Sequence, residues 1–436
     1  MSRDTMPNAY VAGKGDLSPA DQALVSRRQQ ALGPAYRLFY ETPVHLVRGE
    51  GVWLFDKDGN AYLDAYNNVA CVGHCHPRVV AAMAAQAATL ATHTRYLHDG
   101  ILAYAERLLA TFPAELSHAM FTCTGSEAND LALRIAREHS GGSGVIVTEN
   151  AYHGVTSTIA ELSPSFGPGV PLGAHVRTIP APDPRHYGKD VGTGFAAAVA
   201  AAAADLQRHG IRPAALLVDT IFSSDGVFAD PKGFLAPAVQ AIRDAGGLFI
   251  ADEVQPGFAR TGEAMWGFMR HGTVPDIVTM GKPMGNGYPI AGLVIRPEIV
   301  AGFGSKVRYF NTFGGNAVAA ATANAVLDVI AEEGLMENSR QTGAYLADGL
   351  RALGRQHDAL GSVRAAGLFA GVDVERDGVP DAALAARFVN GLREKRVLIS
   401  ATGKAGNVLK IRPPLTFSRE NADLLLERLD EVLAAV

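Results

Sequence analysis

Between about residues 118 and 300 the chain alternates short apolar runs with segments of helical period, and no other feature restricts its fold as much. HAMFTCT (His118–Thr124) reads as a strand and GSEANDLALRIAREH (Gly125–His139) as an amphipathic helix, apolar at Leu131, Leu133, Ile135 and Ala136. GVIVTEN (Gly144–Asn150) and AALLVDT (Ala214–Thr220) read as strands, followed by a helix near FLAPAVQAIRDAG (Phe234–Gly246). LFIADEV (Leu248–Val254) and DIVTMG (Asp276–Gly281) complete the series. Strands that take turns with helices form βαβ units, so the fold class is α/β with a mainly parallel sheet. The 436 residues are too many for one small core. The expected division is an N-terminal segment over 1–75 that joins the small domain, a large domain over 76–320, and a small α+β domain over 321–436. SPSFGPGVPLG (Ser163–Gly173) and PAPDPRHYGKDVGTG (Pro180–Gly194) are rich in Pro and Gly and read as surface loops.

Ligands of such sheets bind outside the carboxyl ends of the strands. Thr124-Gly125-Ser126, Asp219, Asp252 and the approach to Lys282 fall at those ends. Gly125-Ser126 opens a helix straight after a strand, where free N–H groups and the helix dipole favour an anion. The same serine would serve equally as a plain helix cap, with Glu127 in the first turn. Asp252 closes an apolar strand, where a carboxylate is costly unless paired. It either faces solvent or holds a protonated ring nitrogen, and Gln255, three residues on, could donate to an oxygen. Lys282 sits in DIVTMGKPMGNGYPIAG among Gly281, Gly285 and Gly287. It is either an ordinary surface lysine or a nucleophile that forms a Schiff base when its amine is deprotonated by burial or neighbours. Tyr152-His153-Gly154 is either a loop or an aromatic face for a flat cofactor. CVGHCH (Cys71–His76) invites a zinc reading, but no second ligand pair stands at useful spacing, so no metal is expected.

Composition removes other function classes. With 39 basic and 44 acidic residues the net charge is -5, without the basic excess of a nucleic-acid footprint. Three cysteines argue against a disulfide framework and fit a reducing cytosol, so a cytoplasmic location is expected. The opening stretch MSRDTMPNAYVAGKGDLS has no apolar core of signal-peptide type. The most apolar run, FAAAVAAAAADLQ (Phe195–Gln207), is far short of the roughly 20 residues of a membrane span and reads as a helix packed on the sheet.

An anion cradle, then an aromatic, then an acid, then a lysine about thirty residues later form one ordered set. Through it the sequence resembles the class III aminotransferases, fold-type I enzymes that use pyridoxal 5'-phosphate (PLP). The resemblance runs from GVWLFDKDGNAYLDAYNNVACVGHCHP to LKIRPPLTFS. It implies a large domain with a seven-stranded-type sheet. It also implies that Lys282 forms the Schiff base with PLP and shuttles the proton, and that Asp252 keeps the pyridine nitrogen protonated so that the ring is an electron sink. Gln255 would lie near the ring hydroxyl, Gly125 and Ser126 would bind the phosphate, and Tyr152, with His153 beside it, would lie on the ring face. Thr312, in YFNTFGGNA, would reach the phosphate of the neighbouring subunit, which implies a homodimer with shared active sites. Arg412, in LKIRPP, would bind a substrate carboxylate, and Asp219 and Tyr96 would complete the substrate side.

Two departures stand out. Asp219 takes the place of a glutamate that can pair with the active-site arginine, and Cys123-Thr124 replaces asparagine and serine ahead of Gly125. Transamination of an amine or amino acid with a keto acid or aldehyde is the commoner activity of the family. The alternative is a phospho-lyase acting on O-phosphoethanolamine or a similar phosphorylated amine. NNVACVGHCHP, TRYLHD, GKPMGNGYPIAG and VLISATGKAGNVLKIRPP look closer to that branch, whose pocket must hold a phosphate with cations such as Arg412, Lys410, Lys404 or Arg95. A PLP-fold binding or regulatory module would lose a catalytic residue or carry an added DNA-binding domain, whereas Lys282, Asp252 and Thr312 are all present.

Overall fold

The structure, a computed structural model, describes residues 8–13 and 15–435. Its centre is a seven-stranded sheet in the order His118–Thr122, Ala291–Ile295, Ile277–Met280, Leu248–Asp252, Pro213–Asp219, Gly144–Thr148, Val176–Ile179. All pairings from Ile277–Met280 to Val176–Ile179 are parallel. Ala291–Ile295 runs antiparallel to both neighbours, so the parallel reading holds for most of the sheet and fails at one edge.

The strands are apolar on both faces because both are covered. Ala215 and Leu217 pack with Leu131 and Ile135 of the helix Gly125–Ser140 on one side. Leu216 and Val218 pack on the other with Phe195 and Val199 of the helix Val191–Arg208, and with Ile242 of Ala236–Asp244. Successive strand residues point to opposite faces, which is why one apolar run feeds two cores. The stretch expected to be loop through Gly194 is partly helical: Pro184–Tyr187 forms a turn of helix, and the long helix already begins at Val191. The cause is local, since the Asp190 side chain accepts the Thr193 N–H and caps that end. No helix among the described residues is long and apolar enough to cross a membrane.

The helix Ala317–Glu332 buries its alanines in the larger core, which reaches to Leu335. A second core gathers around the antiparallel sheet Leu360–Ala365, Ala370–Arg376, Val408–Ile411, Ser400–Thr402, with Phe388, Phe417 and Leu425 from the chain that follows or intervenes. The N-terminal strands Trp53–Asp56 and Ala61–Asp64 join this second core, Leu46–Glu50 pairs with Trp53–Asp56 outside it, and Ala61–Asp64 pairs in parallel with Val397–Leu398. The strand Val408–Ile411 leads directly to Arg412 and brings it to the carboxyl ends of the large sheet.

Candidate active site

Two neighbouring parallel strands end in register on acids, Asp219 opposite Asp252. Those ends meet the N-terminus of the helix Gly125–Ser140 and the turn at Lys282 in one pocket. Gly125, Ser126, Tyr152, His153, Asp219, Asp252, Gln255 and Lys282 all line it, together with Gly154 and Val254. The alternation of strands and helices therefore brings together residues spread over more than 150 positions.

The anion end is built by a capping box. Thr124 Oγ1 accepts the Glu127 N–H at 3.2 Å, and the Glu127 carboxylate accepts the N–H groups of Cys123 and Thr124 at 2.7 and 3.2 Å. None of these bonds uses the N–H groups of Gly125 and Ser126. Thr124, not Ser126, is the cap, so the capping expected of Ser126 falls two residues earlier and leaves the Gly125 and Ser126 N–H groups outside the capping box. Ser126 Oγ accepts the Val155 N–H at 3.0 Å, which leaves its own hydrogen to donate. Two glycines permit the closeness: a Cβ on Gly125 would lie 3.0 Å from Val254 Cγ2, and one on Gly154, whose φ is +140°, would lie 2.4 Å from Ser126 Oγ.

At the other end Asp252 is buried and fixed by three donors. Its Oδ2 accepts from Asn129 Nδ2 at 2.9 Å and from His153 Nδ1 at 2.8 Å, and its Oδ1 accepts the Val254 N–H at 3.1 Å. Asn129 is held in turn by Thr279 Oγ1, which donates to its Oδ1 at 2.6 Å, and donates on to the His153 carbonyl at 2.8 Å. Oδ1, with one bond only, keeps a free lone pair for a ring N–H. Asn129 and Thr279 were not singled out in the sequence; Asn129 follows Ser126 by three helical positions and so lies on the same face. Asn129 supports the Asp252 carboxylate directly, and Thr279 supports it through Asn129.

Lys282 Nζ lies 6.0 Å from the centroid of the Tyr152 ring, and makes no hydrogen bond or ion pair among the described residues. Its side chain is partly exposed, and it lines the pocket. Desolvation, then the charge of Arg412, push its pKa down to about 8, against the opposing pull of Asp252 and Asp219. An amine so placed is a nucleophile near neutral pH, as a Schiff-base lysine requires. These features fit PLP. N–H groups and a hydroxyl suit its phosphate, a fixed carboxylate suits its ring nitrogen, Tyr152 offers an aromatic face, and the lysine meets its aldehyde.

Arg412 is 7% exposed and sits beside the pocket, its guanidinium 4.6 Å from the Tyr66 ring centroid. It donates to the Tyr66 carbonyl at 2.9 Å and to Gln255 Oε1. Asp219 does not pair with it. Its carboxylate accepts from Ile221 N–H at 2.9 Å, from Ser223 N–H at 3.1 Å and from the Ser223 hydroxyl. Burial raises the Asp219 pKa, with the Ser223 hydroxyl opposing.

Thr312 and Tyr96 lie outside this pocket, and both are exposed, Tyr96 at 65%. Their loops meet each other: His93 stacks on Tyr96 and meets Phe310 edge-on, and the Arg95 guanidinium lies 3.7 Å from the Phe310 ring centroid. In the cysteine–histidine stretch, His74 pairs with Asp64 at 2.7 Å, His76 pairs with Glu333 at 3.0 Å, and Cys71 Sγ faces the Pro283 carbonyl at 3.7 Å. A cavity of about 560 Å³ lies elsewhere, against the helix Pro19–Leu32, with mainly aliphatic walls such as Leu24, Val25 and Val44.

Residues 39–433 match the family model described as aminotransferase class-III. The chain is 41% identical to a Drosophila melanogaster protein named alanine–glyoxylate aminotransferase 2-like, over 94% of this chain and 87% of that protein. It is 37% identical to ethanolamine-phosphate phospho-lyase homolog 1 of Caenorhabditis elegans, over 94% of this chain and 93% of the other. Among solved structures, a phospholyase from Arthrobacter in complex with phosphoethanolamine shares 44% identity and a TM-score of 0.91, covering 95% of this chain and 100% of that one.

Proposed function

The chain belongs to the class III aminotransferase family of fold-type I, PLP-dependent enzymes, and within that family we propose that it is a phospho-lyase acting on O-phosphoethanolamine or a closely similar phosphorylated amine. The observation that carries this reading is the isolation of Arg412 from Asp219. An aminotransferase alternates two substrates in one pocket, and an acid that can neutralise the arginine helps it accept the one without an anionic group. Here that acid is a methylene shorter than the family's glutamate and is held by three donors of its own turn. The Arg412 charge is therefore left without a carboxylate partner among the described residues, which suits a pocket that receives one anionic substrate. The likeness to the phosphoethanolamine-bound phospholyase supports the same choice.

PLP, when bound, takes up the electron pair left on the substrate carbon after a proton departs. Asp252 Oδ1 would hold a proton at the ring nitrogen, and His153, Asn129 and the Val254 N–H hold Asp252. Lys282 would hold the cofactor's aldehyde carbon, and its Nζ is the group that would take the proton from the substrate carbon. Gly125, Ser126 and the helix dipole would anchor the cofactor phosphate, Gln255 would reach the ring oxygen, and Tyr152 would cover one face. Arg412 orients the substrate's own anionic group.

Transamination is the second reading, favoured by the 41% identity to the alanine–glyoxylate aminotransferase 2-like relative. Phosphate release from O-phosphoethanolamine without any keto acid tests the choice. Absence of phosphate, with amino transfer from an amine to pyruvate or glyoxylate, would refute the lyase reading and establish the other. We further propose a homodimer. Tyr96, Leu97 and Phe313 are 65%, 99% and 69% exposed beside Thr312, a patch that a second copy would cover while placing Thr312 at the other pocket. Sedimentation of the purified protein as a monomer at micromolar concentration would refute this.

A further inference from the structure

Lys410 is a buried lysine without a partner. It is 7% exposed, and its side-chain amine makes no hydrogen bond and no ion pair among the described residues. Charges are seldom buried unpaired, because desolvation costs more than packing returns. An aliphatic residue would fill the position at no such cost, so the amine calls for an explanation.

Its position supplies one. Lys410 lies in the strand Val408–Ile411, whose Leu409 and Ile411 are fully buried in the second core. Alternation places Lys410 and Arg412 together on the opposite face. Both approach the same ring: Lys410 Nζ is 5.5 Å and the Arg412 guanidinium 5.9 Å from the Phe369 centroid. Lys410 stands in register with Gly371, and a Cβ there would meet the Gly226 carbonyl at 2.9 Å, so the loop after the strand Pro213–Asp219 closes on this face. The charges acting on Lys410 are Arg412 and Lys282, which disfavour its protonation, and Asp219 and Asp225, which favour it. Both acids are already engaged, Asp219 by its own turn and Asp225 by Thr148 Oγ1 at 2.7 Å and the Asn150 N–H at 3.2 Å. Desolvation and Arg412 hold the amine well below its ordinary pKa. A dianion placed between the two cations would reverse that balance.

We propose that Lys410 is the second cation of the substrate-anion site, and that with Arg412 it makes the pocket select a doubly charged phosphate monoester over a carboxylate. This rests on the phospho-lyase reading for the identity of the substrate, but its test does not depend on turnover. The PLP-loaded enzyme at pH 8 is titrated with inorganic phosphate and with acetate by calorimetry, as wild type, Lys410→Met and Lys410→Arg. Loss of one charged hydrogen-bonding partner should weaken phosphate binding about 10- to 100-fold in Lys410→Met, change acetate binding about threefold or less, and leave Lys410→Arg within a few-fold of wild type. Equal weakening of both anions, equal weakening in both variants, or unchanged phosphate binding in Lys410→Met would overturn the proposal. Wild type gives an arm that needs no variant: phosphate should bind at least about tenfold more tightly than acetate, and equal affinities would overturn it. A wild type that binds phosphate through Lys410 yet releases none from O-phosphoethanolamine would refute the lyase reading and leave the anion site standing.

Discussion

The hydrogen bonds at Asp252 predict in detail what Asp252→Asn does. An asparagine has one oxygen and one NH₂ where the carboxylate has two acceptors. Two donors, Asn129 Nδ2 and His153 Nδ1, converge on Oδ2, and one, the Val254 N–H, meets Oδ1. The amide therefore turns its oxygen to the Oδ2 side and its NH₂ to the Oδ1 side. Two consequences follow. The Val254 N–H loses its acceptor in a buried place, which costs about 1–3 kcal/mol of stability. The NH₂ also faces the ring nitrogen as a donor, so that nitrogen must accept and cannot carry a proton. Removing a preorganised group of this kind costs about 2.7–4 kcal/mol at the transition state, or on the order of 10²–10³ in rate. The assay is phosphate release, or amino transfer, at saturating PLP, alongside a thermal melt. The variant should melt a few degrees lower, keep PLP attached to Lys282 after borohydride reduction, and lose rate on that scale. A variant with PLP in place and a rate within threefold of wild type would refute the assignment of Asp252 to the ring nitrogen.

Three shorter predictions follow from the same pocket. Lys282 has a folded pKa near 8 against an ordinary 10.5, so the PLP-free fold binds fewer protons there than the unfolded chain between those values. PLP-free wild type should thus gain stability relative to Lys282→Met as pH rises from about 8 toward 10.5, and a pH-independent difference would contradict the placement. Gly154→Ala sets a Cβ against Ser126 at a φ of +140°, with a cost of about 1–3 kcal/mol, and should weaken PLP binding about tenfold or more; unaltered PLP affinity in a fluorescence titration would count against that contact. Asp219→Glu lengthens the acid beyond its three-donor turn and toward Arg412. It should raise KM for O-phosphoethanolamine about tenfold with less change in kcat, and an unchanged KM would remove Arg412 from substrate binding.

The part of this site legible in the sequence is the part fixed by local rules. Gly125 and Ser126 follow from a strand that turns into a helix, and Asp219, Asp252 and Lys282 from apolar runs that stop at a polar residue. A parallel sheet aligns its strand ends, so residues more than 150 positions apart could be placed together before any coordinates. The antiparallel Ala291–Ile295 escaped because its apolar run carries no sign of direction. The helix start at Val191 was hidden by the glycines of DVGTG, which a single Asp190 cap outweighs. Thr312 and Tyr96 lie outside the pocket among the described residues, because their loops meet each other and not the strand ends that line it.

Pairing was the least legible property, and it is the one that distinguishes the two chemistries. The sequence gives the same inventory for an aminotransferase and a phospho-lyase: a lysine, two acids, an arginine and nearby lysines. Which acid neutralises which cation depends on reach and competition at the scale of one methylene. Asp219 is within the field of Arg412's neighbours Lys282 and Lys410, yet its lone pairs go to Ser223 and Ile221. Ser223 is an unremarkable residue four positions on, and nothing in the sequence marks it as the group that ties the acid down. Once it does so, Arg412 and Lys410 are left without a carboxylate partner among the described residues, on the face of the small sheet that meets the large one. A pocket that must accept a neutral amine and a keto acid in turn has reason to cancel that charge. A pocket that keeps it is suited to a substrate that brings two negative charges of its own.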